Sequence, residues 1–206
     1  MLQLHQLFPT VVATTQLPLD PLQQASCMQA LLELRGQSDG NPNDGCAWTG
    51  DLHGVCQLHQ QQPFQALAQL VVEQAWSYLD SLGFERGQVA LHLQRCWPVI
   101  SDWDQAVGRH HHPNAHLSAV LYLTGNGSGE EGMLRLHASD QPNELVAGLA
   151  VVTAARLLKA TRSISPTGIW PHALVCWGCF RRACTTAFCP TTPQTSCAVP
   201  SVLISC

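Results

Sequence analysis

Residues 151–206 contain no aspartate and no glutamate. All 14 acidic residues of the 206-residue chain lie at or before Glu144. Charge is scarce throughout, at 12%, while apolar residues make up 46%. That balance excludes a disordered chain and fits a globular one with a real core. The net charge of −4 gives no reason to expect nucleic acid as a partner. No apolar run is long enough to span a bilayer. Met1 to Gln6 lacks the basic and apolar regions of a signal peptide, so a cytoplasmic address with no membrane partner is expected. There is no internal repeat.

The acid-free stretch divides the chain. Residues 1–150 carry all 14 acids and five of the ten Lys and Arg, a net of −9. Residues 151–206 carry the other five basic residues and six of the ten cysteines. A folded domain seldom drops every carboxylate for so long. The expected organisation is therefore one domain over 1–150 and an atypical Cys-rich tail over 151–206.

The first part begins with a β-branched run from Phe8 to Thr15, which predicts a strand. Asp20-Pro21 predicts a helix start, with the acid as cap and proline in the first turn. That helix should run through Cys27, Leu31 and Leu34 and stop near Gly36. Ser38 to Gly45 is a loop by composition. Phe64, Leu67, Leu70, Val71, Ala75, Tyr78 and Leu82 recur at helical steps, so Pro63 to Leu82 is a second helix, ended by Gly83. Trp76 and Tyr78 are expected to pack against a sheet. Val89, Leu91 and Leu93 alternate with polar neighbours and predict a strand. So do Leu117 to Leu123 and Met133 to His137, with a loop at 125–129 between them. Helices first and strands after point to an α+β fold.

The chemistry concentrates in one place. His110, His111, His112 and His116 lie within seven residues. In extended chain, residues i and i+2 share a side. His110 and His112 can therefore face one ion together while His111 points away. Two imidazoles on a strand edge form half a site for iron, zinc, copper or nickel. A plain surface cluster is the alternative. Pro113 stiffens the turn that follows.

Trp97, Trp103, His110-x-His112-Pro113-Asn114-x-His116 and Leu117-Ser118-Ala119-Val120-x-Tyr122-Leu123 together resemble a 2-oxoglutarate/Fe(II) oxygenase family. It is the H-x-H-P…S-G-V-Y-Y type met in marine cyanobacteria and their phages. Leu7-Phe8-Pro9, Trp48, Asp51-Leu52-His53 and the helix bearing Tyr78 extend the likeness over roughly residues 7 to 145. Ala119 stands where the family has glycine. His112 stands where the wider superfamily has an acid. Three nitrogens, a carboxylate from elsewhere, or a second-layer role for one histidine are all open.

The resemblance implies a double-stranded β-helix, a jelly-roll or cupin-like barrel, with supporting N-terminal helices and an incomplete C-terminus. It implies Fe(II) and 2-oxoglutarate as cofactors, with His110 and His112 as metal ligands. Ser118 and Tyr122, on the next strand, would line the co-substrate pocket, or else pack within the barrel. A small-molecule or peptide substrate would be hydroxylated.

The family ends on a block like F-P-S-x-L-x-H-x-V-x-P and an arginine-bearing strand, which supply a distal histidine and a carboxylate clamp. Residues 151–206 do not read that way. Shifting the degenerate codons of Cys176 to Pro190 by one base permits F-P-S-x-L-H-H-x-V-L-P. Out-of-frame translation from about residue 150 is thus one expectation. The other takes Cys176, Cys179, Cys184 and Cys189 as a zinc or iron–sulfur spacing. Two functions stand side by side: an oxygenase, or a degraded, non-catalytic remnant or cupin-like metal-binding module.

Overall fold

The computed structural model describes residues 11–40, 43–112, 114–125 and 134–137, and the strands at 162–164, 173–178, 185–188 and 201–205. β1 spans Val12–Gln16 and is followed by α1, Pro21–Gly36. The Asp20 carboxylate accepts from the Gln23 amide at 3.1 Å, satisfying one orphan donor of the first turn. Pro21 costs nothing there, because its missing N–H would have had no helical partner.

β2 is the short Trp48–Thr49, and a 3-10 turn, Gly50–His53, follows it. α2 covers Gln65–Ser81. Its end is a hydrogen-bonded cap: Gly83 donates to Asp80 and Phe84 to Leu79, both at 3.0 Å. Gly83 sits at φ 86°, a conformation that side chains resist. Both helices thus begin and end where the punctuation residues place them.

The strands then follow as β3 (Trp97–Ser101), β4 (His110–His111), β5 (Leu117–Tyr122) and β6 (Leu134–His137). β7 (Arg162–Ile164), β8 (Ala173–Gly178), β9 (Thr185–Phe188) and β10 (Ser201–Ser205) complete them. They form a six-stranded sheet, β1-β8-β5-β10-β3-β2, and a four-stranded sheet, β4-β9-β6-β7. The pairings within both are antiparallel.

β5 lies inside the larger sheet, between β8 and β10. Both of its faces are therefore buried. Ala119, Leu121 and Leu123 join Ile100 in a core with Cys27, Leu31, Leu67 and Val71 of the helices. Val120 and Tyr122 join Val99 in a second core with Leu134 and Leu136 of β6. The larger sheet thus carries helices on one face and the smaller sheet on the other. Burying each fully enclosed aliphatic side chain contributes about 1.5–3 kcal/mol.

One expected element is absent as a strand. Among the described residues Val89 to Gln94 has no ladder partner, and the regular strand starts at Trp97. The alternation itself is real: Val89, Leu91 and Leu93 are half-buried and the residues between them exposed. The segment is extended but runs along the surface. It is tied down only at its end, where Gln57 donates to the Gln94 carbonyl at 3.2 Å. Period 2 reports burial, not the neighbour that a ladder needs.

β1 starts at Val12, within the expected run, whose first residues lie outside those described. Residues 126–129 of the predicted loop, Met133, and Cys179, Cys184 and Cys189 also lie outside them.

Candidate functional site

β3 and β5 are both antiparallel to β10, so they run parallel to each other and begin at the same end of the sheet. Trp97 and Ser118 stand near those beginnings. Both belong to the sheet face turned toward β6, since they alternate with the helix-facing Ile100 and Ala119. His112 lies over this end of the sheet. Its ring centroid is 5.5 Å from that of Trp97. Its Nδ1 is 3.3 Å from the Ser118 hydroxyl.

His110 and His111 form the two-residue β4, paired with Thr186 and Thr185 of β9. Extended backbone there sends His111 outward, where it is exposed. His110 and His112 stack together, with ring centroids 5.0 Å apart and planes 25° apart. Their Nε2 atoms converge to 3.0 Å. Two nitrogens bonded to one ion at about 2.1 Å and at right angles stand about 3.0 Å apart. The pair therefore has the spacing of adjacent ligands.

The back of each ring is held. His110 Nδ1 is 2.9 Å from the Gly108 carbonyl. A carbonyl only accepts, so Nδ1 carries the proton, and in the neutral ring Nε2 keeps the lone pair. Ser118 holds His112 and can donate to Nδ1 or accept from it. In the metal-free pair, His112 Nε2–H donates to His110. An ion would shift that proton to Nδ1, with Ser118 as acceptor.

His112 is neutral at ordinary pH. Burial pushes its pKa from 6.5 down to about 4, and neighbouring His110, Arg95 and His111 push the same way, against Asp51. A neutral imidazole is the form that ligates a metal. The donor set fits two adjacent positions of an ion. Among the described residues, no group of three His, Cys, Asp or Glu is placed to hold one.

Tyr122 lies farther along the same face of β5 and is almost wholly buried. Among the described residues its hydroxyl has no hydrogen-bond partner. Burial without a partner pushes the phenol pKa well up, so it remains a donor. His116, by contrast, is exposed. A hollow of about 240 Å³ between β1 and α2, lined by Val11, Thr14, Ser77 and Tyr78 among others, does not include the histidines. Tyr78 there is spent on structure, donating to the Val11 carbonyl at 3.0 Å.

Of the residues singled out in the sequence, the structure brings His110, His112 and Ser118 together and places Tyr122 farther along the same face. Sequence reasoning missed Arg95, whose guanidinium carbon lies 5.4 Å over the Trp97 ring. The Arg95-x-Trp97 spacing was the available signal, since i and i+2 share a side in extended chain. The influence of Asp51 on His112 had no local signal, because the 3-10 turn is brought in from far away. Gly50 makes this possible: a Cβ there would come within 2.6 Å of Pro98 Cδ.

A family profile described as "Putative 2OG-Fe(II) oxygenase" matches residues 95–170, less than half of the chain. The match spans Arg95, Trp97, both histidines, Ser118 and Tyr122. No curated protein matches the sequence. Among solved structures, the chain is similar to a Pseudomonas putida prolyl-4-hydroxylase, with a TM-score of 0.53 and 10% identity. The likeness covers 94% of this chain and 89% of that one. At that identity it is a likeness of fold alone. No described helix is long and apolar enough to cross a membrane.

Proposed function

We propose that the protein is an Fe(II)- and 2-oxoglutarate-dependent oxygenase of hydroxylase type, built on a double-stranded β-helix. His110 and His112 are two of its metal ligands. The observation that carries this reading is the convergence of two imidazole nitrogens to 3.0 Å. The family profile and the shared fold support it.

When bound, iron(II) with 2-oxoglutarate would let dioxygen hydroxylate an unactivated C–H bond, one oxygen atom going to the product and the other to succinate, with release of CO2. The chain does the rest. His110 and His112 hold the ion from one side and leave its other positions open. Gly108 and Ser118 fix the two ring orientations. Trp97 walls off His112 from water. Tyr122 donates its spare hydroxyl proton to the far carboxylate of the co-substrate. The substrate is a small molecule or a peptide.

An anaerobic titration of the full chain with Fe(II) and 2-oxoglutarate tests this. A visible charge-transfer band should appear, and H110A and H112A should each abolish it. Ser118→Ala should weaken metal affinity by about tenfold, because it frees one ring. A wild-type chain with no band would sink the proposal.

One observation favours a second reading: residues 151–206 hold no carboxylate. In this reading the segment is translated out of frame and the chain is a degraded family member. Resequencing the gene decides it. A one-base correction near codon 150 should restore an F-P-S…H…R block; an uninterrupted frame that keeps the present tail overturns it.

A further inference from the structure

The chain builds the same aromatic–guanidinium platform twice. Arg86 lies over Trp76 and Arg95 over Trp97, each with its central carbon 5.4 Å from the ring centroid. A guanidinium held beside an aromatic ring still presents its N–H groups in one plane, which suits a planar acid. In the first platform that edge is filled: Arg86 Nε and Nη2 donate to both carboxylate oxygens of Asp80, at 3.2, 3.2 and 2.6 Å. Arg35, likewise, is bound by Asp102. In the second platform no carboxylate among the described residues pairs with Arg95.

The location of that second platform matters. Trp97, which supports Arg95, also packs against His112. Arg95 itself is exposed, on the extended segment that leads into β3. The guanidinium is thus at the rim of the histidine pair, outside the space between the sheets.

We propose that Arg95 binds a carboxylate of the primary substrate, taking it on Trp97 as Arg86 takes Asp80 on Trp76. The substrate class is then anionic. That the ligand is a substrate rests on the oxygenase reading; that Arg95 is a carboxylate site does not. The co-substrate also carries carboxylates, so the test separates the two sources.

The probes are 4-fluorobenzoate and 4-fluorobenzamide, which share a flat body and differ in charge. Their binding to the full chain is followed by fluorine NMR, with and without saturating 2-oxoglutarate and Zn(II). The acid should bind about tenfold more tightly than the amide at low salt. Adding 2-oxoglutarate and Zn(II) should leave that ratio unchanged. Arg95→Gln should bring the ratio to one, and Arg95→Lys should restore only part of it, lacking the planar fork. Arg95 is exposed, so neither variant threatens folding. Equal binding of acid and amide, a preference that survives Arg95→Gln, or displacement of the acid by 2-oxoglutarate overturns the proposal. The iron titration discriminates between failures. Acid preference without a charge-transfer band sinks the oxygenase reading alone. A band without acid preference sinks this one alone.

Discussion

Tyr122 shows what a single residue can cost a fold. Its hydroxyl is buried between the sheets with no partner among the described residues. A buried unsatisfied hydroxyl costs about 1–3 kcal/mol. Tyr122→Phe should therefore stabilise the ligand-free chain by about 1 kcal/mol, while weakening 2-oxoglutarate binding. Denaturation midpoints and co-substrate titrations read the two effects, and a loss of stability would reveal a hidden partner. His112 gives the complementary case. An unfolded histidine titrates near 6.5, and His112 in the fold near 4. Between those values the unfolded chain holds more protons, so stability rises with pH. It should fall as pH drops from about 6.5 to about 4, then level off. The half-buried ring discounts the share to about 1–2 kcal/mol. Denaturation at pH 7 and pH 4.5 measures it, and His112→Gln should flatten that part of the profile. An unchanged slope would assign it to other groups. At this scale the site was largely legible. The His110-x-His112 spacing puts two rings on one side of any extended chain. Arg95 was not legible as part of it, because nothing local says that Trp97 meets His112.

Elements divide into those set by local rules and those set by partners. α1 and α2 belong to the first kind. Asp20, Pro21 and Gly83 act within a turn of their own backbone, so the chemistry of each end is written beside it. The segment from Val89 to Gln94 belongs to the second kind. Its alternation reports which side chains are covered, and the structure keeps that alternation. A strand also needs a neighbouring edge, and none of the described residues supplies one there. β5 is the converse. Ser118, Val120 and Tyr122 sit on one face and Ala119, Leu121 and Leu123 on the other, and nearly all are buried. Only an interior strand with layers on both sides permits that. β4 is two residues long. No propensity argument finds so short a strand; its pairing with β9 is what fixes the His110 backbone.

At the scale of the molecule, the sheets are assembled from distant parts of the sequence. β10, from residues 201–205, inserts between β3 and β5, the two strands that begin at the histidine site. β8 lies between β1 and β5. β9 supports the histidine-bearing β4. The spacing between Trp97 and Ser118 across the site is thus set by a strand about eighty to one hundred residues downstream of them, a separation that no local pattern encodes. The same connections make the gene-level question about residues 151–206 consequential, since this backbone completes both sheets.

The sequence by itself determined the helices and their ends, the strand at β5, and the placing of His110 and His112 on one side of an extended chain. Each depends on backbone periodicity or on a cap within one turn. Tertiary structure alone decided that Trp97 and Ser118 flank His112 from separate strands. It also decided that Arg95 stands at the same rim and that Tyr122 is sealed with no partner among the described residues. Those facts require strands far apart in sequence to close side by side. The free energy of that closure belongs to burial across the whole fold rather than to any local segment.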